Sequence, residues 1–198
     1  MSNWVVMASG PSLCADDVKL VRKWRKEGRV KVCVVNTTFR MAPWADVLYA
    51  CDGGWWREYG PEVDQKFTGD MYCYAQFGTR FGAKQVPSAG QTGLTSRQGS
   101  ITTGGNSGHQ AIHLVRNFGA TRIILLGFDM AHTGGQAHWH GNHPRGLGNA
   151  GSCAQWVKLM RPLAEGLKAE GVEVINCSRH TALDCFEKTE LTEALAYD

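Results

Sequence analysis

At 198 residues, 43% of them hydrophobic and 20% charged, the chain fits one globular domain with a sizeable core and leaves no room for a second full domain. The formal net charge of +3 is carried by dispersed Lys and Arg, so it does not demand a nucleic-acid partner and remains compatible with a weakly anionic ligand. Seven cysteines, an odd number without a Cys-x-x-Cys pair, argue against a disulfide framework and for free thiols in a reducing compartment.

The first predicted strand, residues 4–8, follows no basic leader, and apolar runs reach only about five residues where a membrane span needs roughly 20, so a soluble cytoplasmic protein is expected. Ser9-Gly10-Pro11-Ser12-Leu13 then turns the chain into a helix over 16–27, with Val18, Val21 and Trp24 on one face and Ser12 or Asp16 available as its cap. A strand-to-helix turn of this kind receives anions on backbone amides, although a plain tight turn explains the same residues; it is neither a dinucleotide fingerprint nor a Walker loop. A second buried strand over 30–35 ends at Asn36-Thr37-Thr38. A weaker one over 46–50 ends at Asp52-Gly53-Gly54, with Trp55 and Trp56 placed to stack on a base, and another weak one covers 71–74.

Residues 76–103 read as a long loop. Gly104-Gly105-Asn106-Ser107-Gly108 follows and opens a helix over 107–118, where successive glycines suit an anion-binding nest and Ser107 suits a cap. His109 and His113 lie one turn apart on that helix, His113 in a structural role. The strand over 123–126 leads through Gly127-Phe128 to Asp129. The following loop, 130–152, holds His132, His138, His140 and His143, which suit proton transfer or phosphate binding, with metal ligation as the weaker alternative. A helix over 153–170 with the stripe Trp156, Leu159, Leu163 and Leu167 precedes a last strand over 172–175. Beyond it stand Ser178, Arg179 and His180, with Arg179 as a candidate partner for phosphate.

Continuous apolar strands alternating with helices predict a single Rossmann-like, doubly wound α/β domain over 1–198, with a mostly parallel sheet and two long ligand-side loops. Every predicted strand ends in small or polar groups, where ligands of such sheets bind.

Strand-Gly10-Pro11-Ser12-Leu13, Val35-Asn36, the aspartate after the third strand, Gly105-Asn106-Ser107-Gly108, Leu126-Gly127-Phe128-Asp129 and the run 174–183 together resemble a superfamily joining sialyltransferase-like glycosyltransferases with archaeal 6-hydroxymethylpterin diphosphokinase-like proteins. The whole chain is also similar to short bacteriophage proteins, which would place it in a bacterial host's cytoplasm. The resemblance implies a transferase using a nucleotide-activated sugar of the CMP type. It implies nucleotide contacts at Gly10, Ser12, Asn36, Ser107 and Gly108, and Ser9, Asp52, Gly105, Asn106 and Ser178 complete the expected nucleotide-binding set. Those transferases carry tyrosines where this chain has Met130, His132, His138 and His140, so the expected catalytic set is His138, His140, His132 and Asp129. The first alternative is a diphosphokinase holding Mg2+ on Asp52 and Asp129, and the second is a non-catalytic nucleotide-binding protein. The implied partners are a nucleotide or nucleotide-sugar donor and an acceptor; a nucleic-acid acceptor and a homo-oligomeric state stay open.

Overall fold

The computed structural model describes residues 2–144 and 146–195. Eight parallel strands form one sheet: β1 (Asn3–Met7), β2 (Lys31–Val35), β3 (Val47–Ala50), β4 (Asp70–Cys73), β5 (Lys84–Gln85), β6 (Arg122–Leu126), β7 (Glu173–Asn176) and β8 (Glu187–Lys188). Their spatial order is β5-β4-β3-β2-β1-β6-β7-β8. The chain thus winds outward from β1 to one edge, returns, and winds from β6 to the other edge. The order reverses between β1 and β6, and the crevice above that reversal is where doubly wound sheets take ligands. Among the described residues, no helix is long and apolar enough to cross a membrane.

The strands are apolar on both faces because helices cover both. Val5, Met7, Val32, Val34, Ile124 and Leu126 pack under α1 (Ala15–Lys26) and α2 (Gly53–Lys66). Trp4, Val6, Cys33, Val35, Ile123 and Leu125 pack under α3 (Ser107–Asn117) and α4 (Cys153–Ala169). Alternation along each strand divides the residues between two cores, as a pleat with a period of two requires.

The predicted strands and three predicted helices are present with ends shifted by at most one residue. The helix α2 is an element that the sequence reading left out, and it changes the assignment of two residues. Trp55 and Trp56 are 2% and 0% exposed. Their indole N–H groups donate to Thr37 Oγ1 and to the Ala50 carbonyl. Both rings are core; Trp56 lines no part of the crevice, and Trp55, though buried, only edges its larger cavity. The cap of α1 is Cys14, with Asp17 completing a capping box, in place of Ser12 or Asp16. Residues 76–103 form a 3₁₀ turn (Gln76–Phe81), β5 and a backbone-paired segment in which Ala89 N–H bonds the Ile101 carbonyl and Gly104 N–H the Gln91 carbonyl. This segment leads into α3 and does not line the crevice, to which residues 130–131, 137–138, 143 and 146–152 contribute instead.

Candidate functional site: the crevice at the strand-order reversal

The crevice has two adjoining compartments. A narrow recess of about 110 Å3 lies between the ends of β1, β2 and β6, lined by Ser9, Gly10, Asn36, Asp129, Met130 and the first residues of α3. A larger cavity of about 590 Å3, the size of a small-molecule site, reaches toward Asp52 and the 146–152 segment. Asn36, Asn106, Ser107, His138, Ala150 and Trp156 line both compartments. Trp156, half-buried against Gly105, is an aromatic surface common to both compartments, where its spacing in the sequence suggests only a place in a helix stripe.

At the mouth of α3, the Asn106 side chain accepts from His109 N–H at 2.9 Å and so is the cap. Ser107 instead accepts from Cys51 N–H through its hydroxyl at 3.1 Å, tying the helix to the end of β3. First-turn amides have no intrahelical acceptors, and with that of His109 capped, those of Ser107 and Gly108 stand in the crevice wall at the positive end of the helix dipole. Gly105 takes the left-handed φ of 73° that the turn demands. Gly108 faces the Phe128 ring, where a Cβ would come within 2.9 Å.

Backbone strain gathers here. The described residues include three non-glycine positions with positive φ: Asn36 at 50°, Met130 at 49° and Ala150 at 55°. All three line the narrow recess. Such conformations are disfavoured for side-chain-bearing residues and concentrate at ligand sites. Asn36 adds a second anomaly, since its Oδ1 is buried without a hydrogen-bond partner among the described residues. An unpaired buried acceptor costs about 1–3 kcal/mol unless a ligand or water satisfies it.

Several expected ligand contacts are structural. Asp129, 1% exposed, accepts from Ser12 N–H at 3.0 Å, Ser12 Oγ at 2.6 Å and Thr133 Oγ1 at 2.9 Å. Both its oxygens are engaged, and Ser12 is committed to it, so the pair clamps the β1 turn to the end of β6. Gly10 is needed for the same clamp, because a Cβ there would lie 2.1 Å from Asp129 Oδ1 and 2.4 Å from the Gly127 carbonyl. Ser178 Oγ accepts from Phe128 N–H at 2.8 Å and reaches neither compartment. Ala182 N–H and Thr181 Oγ1 brace the same strand end at the carbonyls of Asp129 and Phe128. Arg179 makes a forked ion pair with Asp17, which occupies it away from any phosphate. Asp52 is exposed at the start of α2 and lines only the larger cavity, whereas Asp129 lines only the recess, so the two do not share a compartment as a common magnesium site would require.

The histidine loop divides in two. His132 is exposed and lines neither compartment. His138, His140 and His143 converge, with ring centroids 5.1 Å apart for the stacked first pair and 4.8 Å from each of these to His143. Trp139 anchors them: its N–H bonds the Ser9 carbonyl at 3.0 Å and its indole donates to Thr38 Oγ1 at 3.2 Å. Burial, then the neighbouring imidazoles, pulls His138 and His140 down to about 4, and burial followed by Arg40 also lowers His143. All three are therefore neutral near pH 7. That removes them as cationic partners for phosphate and makes the first two weak bases, but leaves their lone pairs available.

On the other core face, His109 and His113 are fully buried and pulled down to about 4, chiefly by desolvation. His113 Nδ1 accepts from Thr102 N–H at 3.1 Å, and neither ring lines the crevice. Burial also lifts the Cys51 and Cys177 thiols to about 12, which keeps them inert as nucleophiles.

Fold and site together define a doubly wound α/β protein with a crevice at its strand-order reversal in which left-handed backbone conformations gather. No family model matches the chain, and neither a curated protein nor a solved structure matches it.

Proposed function

We propose that the protein is a nucleotide-dependent transferase that takes a nucleotide-activated sugar of the CMP type. The donor's phosphate lies against the Ser107 and Gly108 amides and the Ser9-Gly10 turn, and Trp156 flanks the larger cavity beside it. The observation that carries this reading is the concentration of backbone strain and an unpaired acceptor in one recess: Asn36, Met130 and Ala150 all adopt left-handed conformations there, and Asn36 Oδ1 has no partner among the described residues. The amide-lined start of α3 supports an anionic ligand, and the resemblance of the strand-end motifs to sialyltransferase-like enzymes supports a cytidine nucleotide over other bases.

Calorimetric titration tests the reading with cytidine monophosphate, and with ATP in the presence of magnesium as the competing probe. Saturable cytidine monophosphate binding is expected, and Asn36→Gly should weaken it about tenfold while leaving the fold intact, because glycine adopts the same φ without the acceptor. Binding of neither probe, or unchanged affinity in the Asn36→Gly variant, overturns it; magnesium-dependent ATP binding alone redirects it to a diphosphokinase.

A further inference from the structure

We propose that His138, His140 and His143 form a binding site for one zinc-class divalent ion in the wall of the crevice. One ring nitrogen of each residue lies within 4.8 Å of the other two, and this is the group of His, Cys, Asp or Glu side chains among the described residues that offers three such donors together. Three imidazoles are a nitrogen donor set suited to Zn2+, Co2+, Ni2+ or Cu2+ and unsuited to Mg2+, which takes oxygen.

Two features point to a ligand rather than to loop packing. His138 Nε2 and His140 Nε2 are buried yet have no hydrogen-bond partner among the described residues. Buried polar atoms of this kind are normally satisfied, and two in one cluster share one remedy, a cation between the rings. The opposite edges are held by hydroxyls: Ser9 Oγ meets His138 Nδ1 at 3.1 Å, and Tyr59 OH meets His143 Nδ1 at 3.0 Å. In the tautomer in which these hydroxyls accept from Nδ1–H, the lone pairs of His138 and His143 sit on Nε2. This is the orienting contact that metal-bound histidines receive in known sites.

Tetrahedral coordination at about 2.0–2.1 Å brings donors to about 3.3 Å from one another, so the rings close inward by roughly an ångström. Gly141, at a φ of 83° with open space around it, allows that movement between His140 and His143. Three protein ligands leave a fourth position, as catalytic zinc sites do. Because His138 and His143 line the larger cavity, an oxygen of water or of a bound anion there can fill it.

The test uses the full chain after chelator dialysis, titrated with Zn2+ by calorimetry and with Co2+ by visible absorption. One ion per chain and the absorption bands of a four- or five-coordinate Co2+ site are expected. His138→Gln, His140→Gln and His143→Gln should each weaken binding by a hundredfold or more, while the exposed His180→Gln leaves it unchanged. Tyr59→Phe, which keeps all three ligands, should weaken it about tenfold and serves as the reading if a histidine variant fails to fold. Less than a tenth of an ion per chain with no Co2+ bands, or undiminished affinity in folded His143→Gln and Tyr59→Phe variants, overturns the site. None of these measurements uses a nucleotide, so the outcome is separate from that of the transferase reading.

Discussion

Asp129 shows how one buried side chain fixes the geometry of the crevice without being free to react in it. Its carboxylate gathers three donors from Ser12 and Thr133, and the bare Cα of Gly10 lets the β1 turn approach it. Asp129→Asn exchanges one acceptor oxygen for a donor facing donors. We expect a loss of about 2–3 kcal/mol in chemical denaturation, since hydrogen bonds to buried charge are among the stronger ones. Gly10→Ala should cost about 3 kcal/mol, because its methyl meets backbone carbonyl and carboxylate oxygens that have little room to move. Unchanged denaturation midpoints in these variants would mean that the turn is not clamped. The sequence reading had linked Gly10 to phosphate approach. The contact that explains it lies more than a hundred residues along the chain, where no local pattern reports it.

Among the elements, α3 combines two tasks on one rod: Ser107 and Gly108 at its start face the crevice, while His109 and His113, one turn apart, are buried in the core. Below about pH 6.5 the unfolded imidazoles take up protons that the folded ones refuse until about pH 4, so the unfolded state binds more protons across this window and stability falls as pH falls through it. The histidines of the 138–143 cluster act in the same direction, so a difference measurement isolates α3. Relative to the wild type, His109→Leu should gain about 2 kcal/mol of stability between pH 7.5 and pH 5, read from urea denaturation at each pH. An equal pH dependence in the two proteins would show that this ring is not held neutral. The helix α2 escaped the sequence reading because Gly53-Gly54 and Pro61 mark loops locally. Its buried face, Trp55, Trp56, Tyr59 and Val63, nevertheless carries helical spacing. At Gly60 a Cβ would fall 2.3 Å from the Phe81 ring, so tertiary packing explains a glycine that propensity counts against a helix.

Across the whole molecule, the central strands β2, β1 and β6 carry ladders on both sides and helices on both faces, while β5 and β8 are two-residue edge strands with exposed side chains. Amide hydrogen exchange should therefore be slowest in Val5–Met7, Val32–Val34 and Ile123–Leu125, and faster by orders of magnitude in Lys84–Gln85 and Glu187–Lys188. Comparable protection at centre and edges would contradict this strand order. The same architecture explains why the site spans the chain, from Ser9 to Trp156: every strand end at the reversal contributes to it.

The layer architecture is legible in the sequence alone. Continuous apolar strands and helical stripes are local periodicities, and a strand that is apolar on both faces has to lie between two layers of helices. The sequence also marked strand ends that line the crevice, at Ser9-Gly10, Asn36 and Gly105-Asn106-Ser107-Gly108. Which of those residues face the crevice and which hold it together follows from contacts made across the fold. Ser12 bonds Asp129, Ser178 accepts from the Phe128 amide, Asn36 is left with an oxygen unpaired among the described residues, and three of four loop histidines converge while His132 stays outside. The reason is physical: a polar residue's role depends on which partners reach it across the fold, and sequence spacing records local periodicity but not those long-range meetings.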